Sequence, residues 1–166
     1  VAAVTPFMLQ AQPTEPQAAY QMPQASKALL TDLVKVDEQK LVAVGERGHI
    51  LLSQDGQSWT QAQVPVQANL NSVYFINPQQ GWAVGHDATI LVTADGGASW
   101  QLQHYSPETD KPLFDIYFAD AKKGIAVGAY GIFYRTDDGG ESWHKHFHEE
   151  LLLEADREYL AELKET

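Results

Sequence analysis

Thr93-Ala94-Asp95-Gly96-Gly97-Ala98-Ser99-Trp100 and Thr136-Asp137-Asp138-Gly139-Gly140-Glu141-Ser142-Trp143 are one phrase written twice, and Ser53-Gln54-Asp55-Gly56-Gln57-Ser58-Trp59 is a copy shorter by one residue. The tryptophans set the period: 41 residues from Trp59 to Trp100 and 43 from Trp100 to Trp143. Each copy follows a second shared element, Leu41-Val-Ala-Val-Gly45, Gly81-Trp-Ala-Val-Gly85 or Gly124-Ile-Ala-Val-Gly128. A repeat of this length marks one supersecondary unit that buries its apolar faces only against its neighbours.

Within each unit, short runs of β-branched and aromatic residues alternate with Gly, Asn, Asp and Pro, the pattern of strands and tight turns. In the second unit the inner strand is expected over 72–76, followed by 81–85, 89–93 and an outer strand over 99–104. The inner strands of the first and third units are expected over 30–36 and 113–118. About forty residues in four strands is the size of a propeller blade. The fold class is therefore all-β: three four-stranded blades over 25–66, 67–110 and 111–147, forming part of a larger ring, with a C-terminal helix.

The repeated phrase reads as a turn staple. Its Asp accepts backbone N–H bonds across the turn, its glycines tolerate positive φ, and its Trp packs between neighbouring sheets. Asp55, Trp59, Asp95, Trp100, Asp138 and Trp143 are thus structural. A calcium loop needs oxygen ligands at alternate positions and a Glu at the twelfth, which the phrase lacks.

The phrase resembles the Asp-box, or BNR, repeat of sialidases and related propellers. Together with Ala43-Val44-Gly45-Glu46-Arg47-Gly48-His49-Ile50 and its two copies, it is similar to the photosystem II stability and assembly factor family, including bacterial relatives outside photosynthesis. The resemblance covers roughly residues 25–147. It implies a non-enzymatic exported propeller, periplasmic or secreted and often seven-bladed, that binds or helps to assemble membrane-protein complexes without a cofactor.

Composition narrows the partner. The 166 residues carry a formal charge of −11 and no cysteine. Nucleic-acid binding needs a basic surface to neutralise phosphates, so nucleic acid is excluded as a partner. Disulfides and thiolate metal sites are excluded as well. No run is long and apolar enough to span a bilayer.

The candidate recognition surface is the rim formed by the turns between second and third strands, opposite the Asp boxes. There the repeat leaves the side chains free to vary, as Glu46-Arg47-Gly48, His86-Asp87-Ala88 and Ala129-Tyr130-Gly131. Glu46, Arg47, His86, Asp87 and Tyr130 are the proposed partner-binding residues.

Two alternatives have their own residues. A sialidase-like glycosidase or glycan-binding propeller needs an arginine cluster, and the chain has only Arg47, Arg135 and Arg157. Alternation along a strand puts His144, His146 and His148 on one face, a zinc- or copper-like set with no fixed fourth ligand.

The ends raise the question of closure, since three blades cannot close a ring. Further blades, pairing of two chains into a six-bladed homo-oligomer, or capping by the terminal segments are the ways to complete it; the abrupt end of 148–166 favours further blades. Residues 1–24 begin without Met and read as a Pro/Gln/Ala-rich extended arm or signal remnant. In 148–166, Leu152, Ala155, Tyr159 and Leu163 share one side at helical spacing and Glu149, Glu150, Glu154 and Glu162 fall largely elsewhere, an acidic amphipathic helix suited to cap a blade or dock a partner.

Overall fold

The computed structural model describes residues 15–146 and Glu154. The expected C-terminal helix, His148, Arg157 and the first fourteen residues of the arm lie outside that range.

Among the described residues twelve strands form three separate antiparallel sheets, each a four-stranded meander. Blade 1 contains β1 (Leu30–Lys35), β2 (Leu41–Gly45), β3 (Ile50–Ser53) and β4 (Thr60–Gln61). Blade 2 contains β5 (Leu70–Phe75), β6 (Gly81–Gly85), β7 (Ile90–Thr93) and β8 (Gln101–His104). Blade 3 contains β9 (Leu113–Phe118), β10 (Gly124–Gly128), β11 (Phe133–Thr136) and β12 (His144–Lys145). The strands over 81–85 and 113–118 fall where the pattern puts them. The inner strand of blade 2 begins earlier than expected, at Leu70, because the register shifts between Leu70 and Ser72 and the alternation breaks at that bulge.

Each sheet has a leading face toward the next blade and a trailing face toward the preceding one. Between blades 1 and 2, Val42, Val44 and Leu52 on the leading side meet Val73, Ala83, Leu91 and Trp100 on the trailing side. Between blades 2 and 3, Trp82, Val84 and Ile90 meet Ile116, Phe118, Ala126, Ile132 and Tyr134. Trp82 is fully buried and stacks on Phe118, with ring centroids 3.5 Å apart and planes 8° apart. Trp100 meets Phe75 edge-on and donates from Nε1 to the Gly97 carbonyl at 2.9 Å, so its polar atom is satisfied inside the blade 1–blade 2 core.

Polar bonds along the inner strands fix the stacking. Thr31 Oγ1 donates to the Leu70 carbonyl at 2.6 Å and Asn71 Nδ2, at the equivalent position, to the Leu113 carbonyl at 2.7 Å. The Val73 N–H donates to Asp32 Oδ2 at 2.9 Å, and Ser72 Oγ donates to Asp115 Oδ1 at 2.9 Å. Each Ala-Val-Gly element ends on a glycine. The cause is local: a Cβ on Gly45 would lie 2.0 Å from the Leu29 carbonyl oxygen, and one on Gly85 2.0 Å from that of Asn69. Only glycine lets the incoming chain pass that close.

The described part of the arm is tied to blade 1. Ala19 N donates to the Val64 carbonyl at 2.9 Å and Gln21 Nε2 to that of Ala62 at 3.0 Å. A single 3-10 turn, Ala25–Lys27, then sets Ala25 against Ala43, Leu51 and Trp59 on the trailing face of blade 1. Among the described residues no helix is long and apolar enough to cross a membrane.

Truncating Trp100 to Ala should destabilise the domain by about 3–5 kcal/mol, the cost of removing a large aromatic from a packed core. Urea unfolding followed by far-UV circular dichroism measures this, and an unchanged midpoint would mean that the ring does not hold blades 1 and 2 together.

Candidate functional site

The two ends of the stack differ in chemistry. At one rim lie the Asp boxes, and their hydrogen bonds account for the repeated Ser/Thr, Asp and Ser positions of the phrase. In blade 3, Thr136 Oγ1 and the Ser142 N–H donate to Asp138 Oδ1 at 2.7 and 3.0 Å, while Ser142 Oγ donates to Oδ2 at 2.6 Å. Blade 2 repeats this with Thr93, Ser99 and Asp95. In the shorter copy of blade 1, Asp55 Oδ1 accepts the N–H groups of Ser58 and Gln57 at 2.7 and 2.8 Å.

These bonds favour the ionised carboxylates. The Ser58 and Gln57 amides hold Asp55 down at about 2. The Ser142 hydroxyl and amide and the Thr136 hydroxyl hold Asp138 well below the usual carboxylate range. At Asp95 burial opposes ionisation, and the bonds from Ser99 and Thr93 outweigh it. Trp100 and Trp143 each pack edge-on against an inner-strand Phe of their own blade, Phe75 and Phe118. Trp59 has no such ring, because Lys35 stands at that position of blade 1.

At the opposite rim the three candidate turns occupy equivalent places. Each is docked on the carbonyl that precedes an inner strand: Glu46 N on Leu29 at 3.0 Å, His86 N on Asn69 at 2.8 Å and Ala129 N on Pro112 at 3.0 Å. The two central residues of each turn have positive φ, as tight hairpins between right-twisted strands require. Arg47, Asp87 and Tyr130 share the first of these positions, with φ of 56°, 57° and 55°. Arg47 and His86 are exposed, Glu46 and Asp87 half-buried, and Tyr130 retains 87% of its surface.

Sequence reasoning missed Asn69, which links two of the turns. Its side-chain Oδ1 accepts the Arg47 N–H at 2.9 Å while its own carbonyl takes His86 N, so the first two turns hang from one residue. The signal was faint: the position before each inner strand holds Leu29, Asn69 or Pro112, and only Asn bonds in both directions. Asp87 also lines a shallow cavity of about 210 Å³ with Glu15, Gln17, Gln67 and Tyr105. Burial raises the pKa of the Tyr105 phenol, and the charges of Asp87 and Glu108 add to the shift.

The other candidates do not assemble. Arg47 sits on a turn of blade 1 and Arg135 on β11 of blade 3, where it pairs with Asp137 at 2.9 Å. His144 Nε2 lies 3.2 Å from Ser142 Oγ and the His146 ring packs at 5.8 Å from Phe133. Among the described residues no group of three or more His, Cys, Asp or Glu is placed to hold a metal ion.

Three stacked four-stranded sheets with an Asp box in each define this chain as a β-propeller of Asp-box blades. Residues 51–111 match the family described as photosynthesis system II assembly factor YCF48. The photosystem II assembly lipoprotein Ycf48 of Trichormus variabilis is 40% identical over 58 residues, 34% of this chain and 17% of that protein. Among solved structures, YCF48 bound to a D1 peptide superposes with a TM-score of 0.63 at 26% identity, over 81% of this chain and 45% of that one. An ancestral GH74 enzyme superposes with a TM-score of 0.56 at 21% identity, over 81% of this chain and 19% of the enzyme, a likeness of fold alone. This chain therefore spans a minor part of the length of each of these three proteins. The sequence likeness is to assembly proteins.

The Asp boxes should make stability depend on acid. A carboxylate whose folded pKa lies below its unfolded value of about 3.9 contributes fully above that value and loses its contribution as pH falls through the folded pKa. The melting temperature should hold down to about pH 4 and drop between about pH 4 and 2. In D138N the melting temperature should be lower at neutral pH and converge with the parent near the acid end; parallel melting curves at every pH would mean that the box is not stabilised through its charge.

Proposed function

We propose that this chain is an exported, non-enzymatic binding module, periplasmic or secreted, that holds a segment of a membrane-protein complex on the rim carrying Glu46, Arg47, His86, Asp87 and Tyr130. The observation that carries the reading is the backbone of that rim. Arg, Asp and Tyr occupy left-handed conformations where Gly would avoid the strain of about 1–2 kcal/mol per residue. Strain of this kind persists where a side chain is wanted for its own sake. The three side chains project from equivalent turns braced from below by Leu29, Asn69 and Pro112. Rigid placement of varied polar and aromatic groups limits the ordering cost of binding.

The likeness to assembly factors, one of them solved with a D1 peptide bound, supports a protein partner. The formal charge of −11 supports a place among the bacterial relatives outside photosynthesis, with a partner other than a photosystem subunit. A glycan-processing reading lacks its main requirement, because Arg47 and Arg135 are two blades apart.

The double variant Arg47→Ala/His86→Ala removes two exposed side chains and should leave the melting temperature within about 1 °C of the parent, as for most surface changes. Used as bait on detergent-solubilised membranes, it should recover the partner at least about tenfold less than the parent does, the loss expected when binding anchors are truncated. Equal recovery would reject this rim, and failure of the parent to enrich any membrane protein would reject the assembly-module reading itself.

A further inference from the structure

Of the three turns on the recognition rim, that of blade 2 alone sinks its first left-handed residue into a hollow. Arg47 and Tyr130 stand exposed, whereas Asp87 is half-buried. It lines the cavity of about 210 Å³ together with Glu15 and Gln17 of the arm, Val66 and Gln67 of the chain between blades 1 and 2, and Tyr105. The walls are held in place from both sides. The Asp87 carbonyl accepts the Ser106 N–H at 2.7 Å and the Ala88 N–H donates to the Lys111 carbonyl at 3.1 Å, which pins the turn to the chain that follows β8. Gln67 Nε2 donates to the Ala18 carbonyl at 3.0 Å, which pins the arm.

The groups on these walls are mainly acceptors, and they lack partners. Among the described residues neither the Asp87 nor the Glu15 carboxylate has an ion pair or a hydrogen bond, and the Tyr105 hydroxyl has no hydrogen bond. The ion pairs that do occur there, Lys35 with Glu38 and Arg135 with Asp137, belong to blades 1 and 3. Glu108 stands close by, since its charge and that of Asp87 both reach the Tyr105 phenol. A half-buried carboxylate with no countercharge has lost part of its hydration without a compensating bond. An incoming cation supplies that bond, and the aromatic ring beside the carboxylates suits a cation as well.

We propose that this hollow is a subsite for an arginine side chain of the partner segment, with its guanidinium against Tyr105 and between the carboxylates of Asp87 and Glu15. The inference rests on the rim reading above and names the chemistry that the rim takes at blade 2. A guanidinium carries five N–H donors in one plane and no acceptor, so it serves a carboxylate of the arm and one of blade 2 together. Its flat face also stacks on an aromatic ring, and it sheds water more readily than an ammonium does. A lysine, a strongly hydrated point charge, fits the same walls less well. A metal ion is a poorer occupant still, because no three His, Cys, Asp or Glu among the described residues converge to hold one.

The test is amide NMR of the isotope-labelled 166-residue chain at low ionic strength. Two capped pentapeptides, Ala-Ala-Arg-Ala-Ala and the same peptide with neutral citrulline in place of arginine, are each titrated to about 10 mM, a range that reads millimolar Kd values. The arginine peptide should shift the amides of Gln67, Asp87, Ala88 and Tyr105 saturably, and the citrulline peptide should leave them in place. Asp87→Asn keeps a residue type that tolerates positive φ, so it should hold the melting temperature while raising the Kd of the arginine peptide at least about tenfold. No shift, equal shifts from citrulline, shifts centred on Glu46 or Tyr130 instead, or an unchanged Kd in Asp87→Asn would each overturn the subsite. The bait experiment above scores Arg47 and His86, neither of which lines the hollow, so the two failures are separable. A parent that captures a membrane protein yet ignores the arginine peptide keeps its rim and loses this subsite; one that binds the peptide yet enriches no membrane protein keeps the subsite and loses the assembly reading.

Discussion

The structure depends on each sheet burying its two faces against different neighbours. Blade 2 shows the requirement fulfilled: every residue of Gly81–Gly85 is buried, because blade 1 covers one side and blade 3 the other. The same element in blade 3, Gly124–Gly128, alternates between buried and exposed. Nearly identical sequences thus have different environments, set by place in the stack. A sheet covered on both faces reads as a continuous apolar run, and a run of that kind records burial without telling which neighbour supplies it.

For that reason the unit was legible and the assembly only partly so. The period, the Asp boxes and the β6 and β9 boundaries follow from short-range chemistry: turn residues, alternation and glycine. What escaped the reading acts between units. Asn69 matters because it bridges two turns, and nothing in its own neighbourhood distinguishes it from a loop asparagine. Lys40, whose ammonium reaches the Gly96 carbonyl of the next blade's box at 3.4 Å, is of the same kind. So is the docking of Ala19 and Gln21 on the chain between blades 1 and 2, since a Pro/Gln-rich stretch has no apolar period to announce a contact.

The two rims divide structure from recognition by chemistry. At the box rim the repeated polar positions are consumed internally: the Asp oxygens accept from their own turn, and the hydroxyls of Ser53, Thr93 and Thr136 both accept and donate. At the opposite rim the turns are held through backbone groups. The Arg47, His86 and Tyr130 side chains are therefore free to vary without loosening the fold, the condition under which one scaffold carries many binding specificities.

Charge is distributed to match this division. No Lys or Arg occurs between Arg47 and Lys111, so blade 2 is purely acidic among its charged residues, whereas Lys122, Lys123, Arg135 and Lys145 all belong to blade 3. The charge is thus spread unevenly: blade 2 carries acids alone, whereas in blade 3 the cations are balanced by Asp115, Asp120, Asp137, Asp138 and Glu141. Coulomb interactions fall off within about 8 Å at physiological salt, so a partner meeting the rim at blade 2 feels Asp87, Glu15 and Glu108 together with Lys111, whose backbone carbonyl accepts the Ala88 N–H. Net charge excludes partners only at the level of the whole molecule; which groups a partner brings to a given turn is decided by the few residues within that range.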